Sequence, residues 1–411
     1  MITSQSILYV ADIQGPELVV SRVIARNRSL AGFAKVMGIC EGLVHAGHQV
    51  TVWSFGSPAE GSHQFYPAMQ EQVNIFGEQI EVLYSPSIDH KWWRDLYATI
   101  HSLMHLPRFL KHYSVNAVIF YNLGIANLLM ALLSKALGKR IYFEYEDSIR
   151  ITRFGPRPFF LKWYFGLYEV LARSLASGSF SASKELAQAF EFDSASENCL
   201  VIPGVLAHDI TQFAIEKVKM NWNPERPIRL IYAGGLDASK GLDRFLTAFS
   251  RLQASDSLSY PIEMCICGSG SQDRLIEELC EHSLKGVKFL GVVSRAELIE
   301  RLYWADIGIN PHRSDLHAGG TWPFKVVEYL ASCGTVFCSN TNDIDGELAK
   351  QLFLYDGNSV DQIESAILAL IEQWPVIAKS AQERRNWAVN HYCAQAIGVK
   401  LNTMLRADND Q

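Results

Sequence analysis

Lys325 and Glu328 stand three residues apart in the segment running from Gly320 to Phe337, so a helix there puts a cation and a carboxylate on one face. Near a helix N-terminus, behind the glycine-bearing loop at Gly320 and Thr321, such a pair can hold a sugar nucleotide. The same spacing also describes a solvent-facing ion pair worth about 0.2–0.5 kcal/mol. A second set lies in the stretch Ala233 to Gly241, where Gly234 and Gly235 follow a strand pattern and Lys240 precedes a helical one. Glycines let the backbone approach a ligand, and the helix beyond attracts anions. A lysine there opposes the helix dipole, a conflict that a bound phosphate relieves. Gly268 and Gly270 form another strand-to-helix turn, of a kind common in such sheets with or without a ligand. Gly32, in the segment that opens the first helix, is expected to face a cleft, or else to belong to an ordinary strand–helix loop.

Three carboxylates crowd one strand end. Glu144 and Glu146 share a face by the period of two, and Asp147 begins the loop. They can orient an acceptor hydroxyl, act as a base or bind a metal. They can equally form a surface turn paired to Arg150 and Arg153. Asp343 and Asp345 look like a metal-binding pair, but their place before Gly346 and Glu347 suits a helix cap better. Of the histidines, His312 and His317 lie in the loop before Gly320 and are the ones placed to line a cleft.

The elements that must position these residues follow a βα rhythm. Thr321 can cap a helix with Pro323 in its first turn, Gly334 ends it, and Thr335 to Phe337 make a buried strand. Strands are predicted at 7–11, 49–54, 117–121, 140–145, 178–182 and 200–202, with helices between. A charged, proline-bearing stretch, 216–227, interrupts the rhythm, which restarts with strands near 228–233, 262–267, 288–291, 307–309 and 335–338. This alternation predicts an α/β fold: two Rossmann-like doubly wound domains facing across a cleft. The expected boundaries are 1–205, a linker over 206–227, 228–380, and a C-terminal helix over 381–411 that packs back on the first domain.

Composition narrows the function classes. With 48% hydrophobic and 19% charged residues, the 411-residue chain is globular, and its net charge of −6 offers nucleic acid no general attraction. Eight scattered cysteines without a C-x-x-C pair suit reduced thiols and a cytoplasmic setting, at the inner face of a membrane if anywhere near one. No secretory leader or membrane-spanning run is evident. The stretch 150–173 interleaves Arg150, Arg153, Arg157, Lys162 and Arg173 with seven aromatics, and Lys91 to Arg94 adds a smaller patch. Basic residues beside aromatics suit peripheral contact with an anionic membrane; a core helix with inward aromatics is the alternative.

Taken in order, several of these segments resemble the group 1 (family 4) glycosyltransferases of the GT-B fold. They are the Gly234-Gly235-Leu236 to Lys240-Gly241 loop, the Gly268-Ser269-Gly270 turn, Ala305 to Pro311, and Pro323 to Tyr329, with Val201 to Val205 closing the first domain. The resemblance implies transfer of a sugar from a nucleotide-sugar donor, UDP- or GDP-linked, with retention and without a metal or other cofactor. It implies that Lys240 holds the donor diphosphate, that Glu328 accepts hydrogen bonds from the ribose hydroxyls, and that Lys325 is a second cation. Glu146 and Asp147 are carried as acceptor-side acids, and the acceptor is expected to be a glycan or a lipid-linked molecule in polysaccharide or glycolipid assembly. Two positions depart from the family pattern: Gly320 stands where many members carry Glu, and Gly235 where many carry Arg. A sugar-nucleotide epimerase and a non-catalytic partner subunit of the same fold are the alternatives.

Overall fold

A computed structural model of the chain describes residues 4–22, 30–75, 78–90, 93–147, 159–189, 198–218, 222–315, 323–341, 344 and 346–407. Gly320, Thr321, His317, Asp343, Asp345 and the basic run at 150–157 therefore lie outside the described residues. Two compact units emerge. The first takes the chain through Ala207 and resumes at Cys393; the second holds His208–Tyr392.

The first unit is built on an eight-stranded sheet in the order Cys199–Val201, Gly178–Ser181, Arg140–Tyr145, Ala117–Tyr121, Ser6–Val10, Gln49–Ser54, Glu78–Tyr84 and Met69–Ile75. Every pairing is parallel except the last, where Met69–Ile75 runs antiparallel to Glu78–Tyr84. The central strands are continuous apolar runs because helices cover both faces; Leu8, Tyr9 and Val10 are fully buried. The antiparallel edge pair alternates buried and exposed residues, which a reading based on apolar runs passes over.

The second unit carries a six-stranded, wholly parallel sheet ordered Val287–Gly291, Ile262–Cys267, Ile228–Ala233, Ile307–Asn310, Val336–Ser339 and Phe353–Tyr355. Sequence order reverses between Ile228–Ala233 and Ile307–Asn310, and ligands of such sheets gather beyond the strand C-termini at that reversal. Helix Leu242–Ala254 turns Leu242, Phe245, Leu246, Phe249 and Leu252 onto this sheet at a 3.6-residue period.

Three expectations need correction. The stretch 206–227 is not a plain linker: His208–Glu216 is a helix of the second unit, held by buried Ile210 and Ala214. The 381–411 segment is two helices with different homes. Ala381–Tyr392 belongs to the second unit, where buried Arg385 donates to the carbonyls of Ala331, Ala214 and Lys217. Ala394–Ala407 packs on Leu30–His45 in the first unit through Ile397, Leu401 and Leu405. Finally, the helix after Pro323 starts at Lys325, with no side-chain cap, and Val336–Ser339 is the strand that follows its glycine stop. No described helix is long and apolar enough to cross a membrane.

Candidate active site

The loop after Ile228–Ala233 is locked to the turn after Ile262–Cys267. Gly234 and Gly268 adopt φ of +154° and +133°, and a Cβ on Gly268 would lie 1.9 Å from the Gly234 carbonyl oxygen. Only glycine allows that approach. Gly270 is equally tight, since its Cβ would sit 2.6 Å from the Leu236 backbone. The Asp237 carboxylate completes the lock, accepting from the Ser271 amide at 3.2 Å and hydroxyl at 2.8 Å. Those two bonds hold its pKa below the usual carboxylate value. Gly268 and Gly270 thus owe their identity to backbone meeting backbone. Gly235 faces open space apart from Asp237 Oδ2 at 3.5 Å, so that position has room for a side chain.

Lys240 ends a short 3-10 turn, Ala238–Lys240, and Gly241 in left-handed conformation (φ 70°) separates it from helix Leu242–Ala254. It does not cap that helix directly, as the sequence alone suggests. A Cβ on Gly241 would lie 2.1 Å from the Pro311 carbonyl, and the Arg313 amide donates to the Ser239 carbonyl at 3.2 Å. The loops after the first and fourth strands of this sheet are therefore tied together at the strand reversal.

Lys325 enters this loop system from the first turn of its helix. Its Nζ lies 3.9 Å from the centroid of the Tyr232 ring, and a Cβ on Gly234 would come within 2.9 Å of it. Tyr232 is pinned by its hydroxyl, which donates to the Gly235 carbonyl at 2.6 Å. Among the described residues no carboxylate lies within ion-pair distance of Lys325. Burial, then the like charge of Lys240, push its pKa down to about 7. A half-buried ammonium on an aromatic face, with a second cation nearby, is poised for an anion.

One helical turn on, Glu328 is mostly buried, and burial pushes its pKa up to about 6 against the pull of Arg295 and Lys325. Arg295 Nη1 stands 3.8 Å from its Oε1 and is itself fixed by a bidentate pair with Asp209, both bonds 2.8 Å. Between them, Tyr329 clamps the neighbouring strand: its hydroxyl accepts from the Ala233 amide at 2.6 Å and donates to the Ala233 carbonyl at 3.0 Å. Neither Arg295, Asp209 nor Tyr232 stands out in the sequence. Arg295 is 33 positions from Glu328 and opens a different helix.

In the first unit, Glu144 and Glu146 meet a partner absent from the sequence reading. Lys35, buried on helix Leu30–His45, lies 3.4 Å from Glu144 and in close ion-pair contact with Glu146. One cation serves two carboxylates, and Glu144, fully buried beside Glu146, has its pKa raised well above normal. The alternative of a surface turn does not apply to Glu144, which is inaccessible. Asn122, at φ 56°, shapes the strand end by accepting from the Glu146 and Asp147 amides at 2.8 and 3.1 Å. Asp147 is exposed, and Gly32 is the third residue of the helix that carries Lys35. His312, whose carbonyl accepts from Ser339 at 2.6 Å, is buried.

Residues 214–391 match the family described as Glycosyl transferases group 1. No curated protein matches the chain. Among solved structures, a glycosyltransferase from Rickettsia africae ESF-5 superposes with a TM-score of 0.65 at 15% identity, covering 100% of both chains. A UDP-forming α,α-trehalose-phosphate synthase from Burkholderia vietnamiensis gives 0.65 at 13% identity, covering 98% of this chain and 97% of its own. A trehalose-6-phosphate protein from E. coli bound with UDP-2-fluoro glucose gives 0.62 at 12% identity, over 96% and 97%. At these identities the structural likeness is one of fold.

Proposed function

Since the chain is a group 1 glycosyltransferase with the GT-B fold, we propose that it moves a sugar, with retention, from a UDP- or GDP-linked donor to a glycan or lipid-linked acceptor. Polysaccharide or glycolipid assembly is the setting we assign to it. The observation that carries the donor half is the approach of Lys325 to the Gly234–Gly235 loop with the charge of Lys240 nearby, Lys325 being half-buried and, among the described residues, unmatched by a carboxylate.

In this reading the donor diphosphate lies against the loop, where both ammonium groups face it. When the bond from the anomeric carbon to the diphosphate breaks, the electron pair goes to the diphosphate oxygen. Cations already fixed at that spot stabilise the growing charge with little reorganisation. Glu328 accepts hydrogen bonds from the ribose hydroxyls, and Arg295 favours its ionised form and fixes its direction. Arg295 is a positioning residue. The UDP-forming Burkholderia protein and the E. coli protein holding a UDP-sugar analogue, alike in fold, make UDP the first nucleotide to try. On the acceptor side, Asp147 is the exposed acid, while Glu146 is engaged by Lys35.

The test is thermal stabilisation by UDP-, GDP-, ADP- and TDP-sugars, with the native chain beside Lys240→Ala and Glu328→Ala. One donor class is expected to raise the Tm of the native chain and to lose at least tenfold in affinity with either variant, as loss of a charged hydrogen bond predicts. If no donor stabilises the native chain, a non-catalytic partner subunit of this fold becomes the better reading.

A further inference from the structure

Three helices of the first unit lie side by side: Arg94–His112, Ile125–Ala136 and Phe159–Leu175. Each buries one stripe in the unit and leaves a second apolar stripe in solvent. On the first, Leu96, Ile100 and Met104 are 47%, 48% and 68% exposed. On the second, Ile125, Leu129 and Leu132 repeat every three to four residues, at 39–56% exposure. On the third the stripe is Trp163, Leu167 and Val170, with Trp163 at 65%. A water-facing apolar surface that recurs at helical spacing on three neighbouring helices is not the scatter of single residues expected on an ordinary surface.

Charge says what covers it. The whole chain is net −6, yet these three helices hold six Lys or Arg against two acids. Of the acids, Glu169 is buried, with its Oε1 accepting from Tyr145, and Asp95 is paired to Arg94. Arg108, Lys111 and Lys135 are exposed. Apolar stripes with interfacial tryptophans, Trp93 and Trp163, among such cations match an anionic bilayer surface. A second copy of the same face would instead set cation against cation. The patch also runs into a cavity of about 490 Å³ within the unit, since Leu96, Ile125 and Leu129 line it together with Asp12 and Arg94. That cavity sits beyond the C-termini of Ser6–Val10, Gln49–Ser54 and Ala117–Tyr121.

We propose that this three-helix face docks on an anionic lipid bilayer, so that an acceptor anchored in the bilayer reaches the cavity at the edge of the face. The acceptor clause rests on the transfer reading; the bilayer contact does not.

The experiment is co-sedimentation of the full chain with phosphatidylglycerol/phosphatidylcholine vesicles and with phosphatidylcholine alone, at low and high salt. The same runs include Met104→Glu/Leu132→Glu/Val170→Glu, three exposed positions outside both candidate sites. The native chain is expected to bind the anionic vesicles, to lose most binding in high salt, and to bind neutral vesicles weakly. The triple variant should lose at least tenfold in partitioning while keeping its Tm and its donor-induced thermal shift. No binding to anionic vesicles, or equal binding by the variant, overturns the proposal. So does a concentration-dependent dimer of the native chain that the variant abolishes, which would make the face a contact between copies. Donor stabilisation is read separately, so its failure counts against the transfer reading alone.

Discussion

At Lys325 the ammonium rests on the Tyr232 ring with Lys240 for company, and the folded chain lowers its pKa from 10.5 to about 7. A base with a depressed folded pKa costs stability where it is charged, so stability of the free protein rises with pH between about 7 and 10.5 as that cost is removed. Donor binding runs the other way. A diphosphate needs the charged form, so above pH 7 each binding event draws in a proton, and affinity falls by up to about tenfold per pH unit. Calorimetric titration of donor from pH 6 to 9, in buffers of different ionisation enthalpy, reads both the affinity and the proton uptake. Lys325→Met should bind more weakly and lose the dependence above pH 7. A native chain with flat affinity over that range would show that Lys325 does not meet the diphosphate. Glu328, raised to about 6, bears on the lower arm, since its ionised form is the better acceptor for ribose hydroxyls.

At the scale of elements, the helix Lys325–Cys333 is what turns two separate sequence motifs into one site. Its buried face, with Val326, Val327, Tyr329 and Leu330, fixes its rotation against the sheet, and this rotation sends Lys325 to the Gly234 loop and Glu328 toward Arg295. Tyr329 is the pin, clamping Ala233 through both backbone groups, and it fits because Gly308 presents no side chain to its ring. A Cβ on Gly308 would lie 2.4 Å from the Tyr329 ring. Gly308→Ala is therefore expected to cost about 1–3 kcal/mol of stability by overpacking. Because the displaced ring carries the helix with it, donor affinity should fall as well, measurable as a smaller donor-induced Tm shift. Loss of stability with unchanged donor affinity would show that the helix position tolerates movement of Tyr329.

At the scale of the molecule, the chain crosses between units at Ala207/His208 and again at Tyr392/Cys393. The last helix, Ala394–Ala407, is part of the first unit's core: Ile397, Leu401, Met404 and Leu405 are buried, and Gly398 abuts Gly42 so closely that a Cβ there would lie 2.0 Å from its carbonyl. Arg140 secures the end of that helix by donating to the Leu405 carbonyl at 2.8 Å. Deleting residues 393–411 removes, among others, the four large buried apolar side chains Ile397, Leu401, Met404 and Leu405, a loss of several kcal/mol at about 1.5–3 kcal/mol each. The expected result is selective unfolding of the first unit. Differential scanning calorimetry should show its transition lost, while the second unit's remains and still responds to a donor. A single shifted transition for the truncated chain would mean that the units unfold as one.

The parallel α/β plan is readable from the sequence because strands buried on both faces must be apolar runs and their helices must repeat at 3.6 residues. Those signals are local, and they place Lys240, Lys325, Glu328 and the glycine turns on the correct loops and helix. Local pattern fails where burial is one-sided or partners are remote. The edge strand Met69–Ile75 and its neighbour Glu78–Tyr84 alternate in burial, so they offer no apolar run. Lys35, beneath Glu144 and Glu146, is more than 100 positions away from them, and Arg295, held by Asp209 of a third helix, reaches Glu328 from another helix. Ion pairs between distant elements leave no periodic trace. The basic and aromatic composition of 150–173 is visible in the sequence, but which stripe of each of the three helices faces solvent depends on which other stripe the sheet takes. Residue types thus determine the available chemistry, and only the packing of helix on sheet decides which charges meet and which apolar surface stays uncovered.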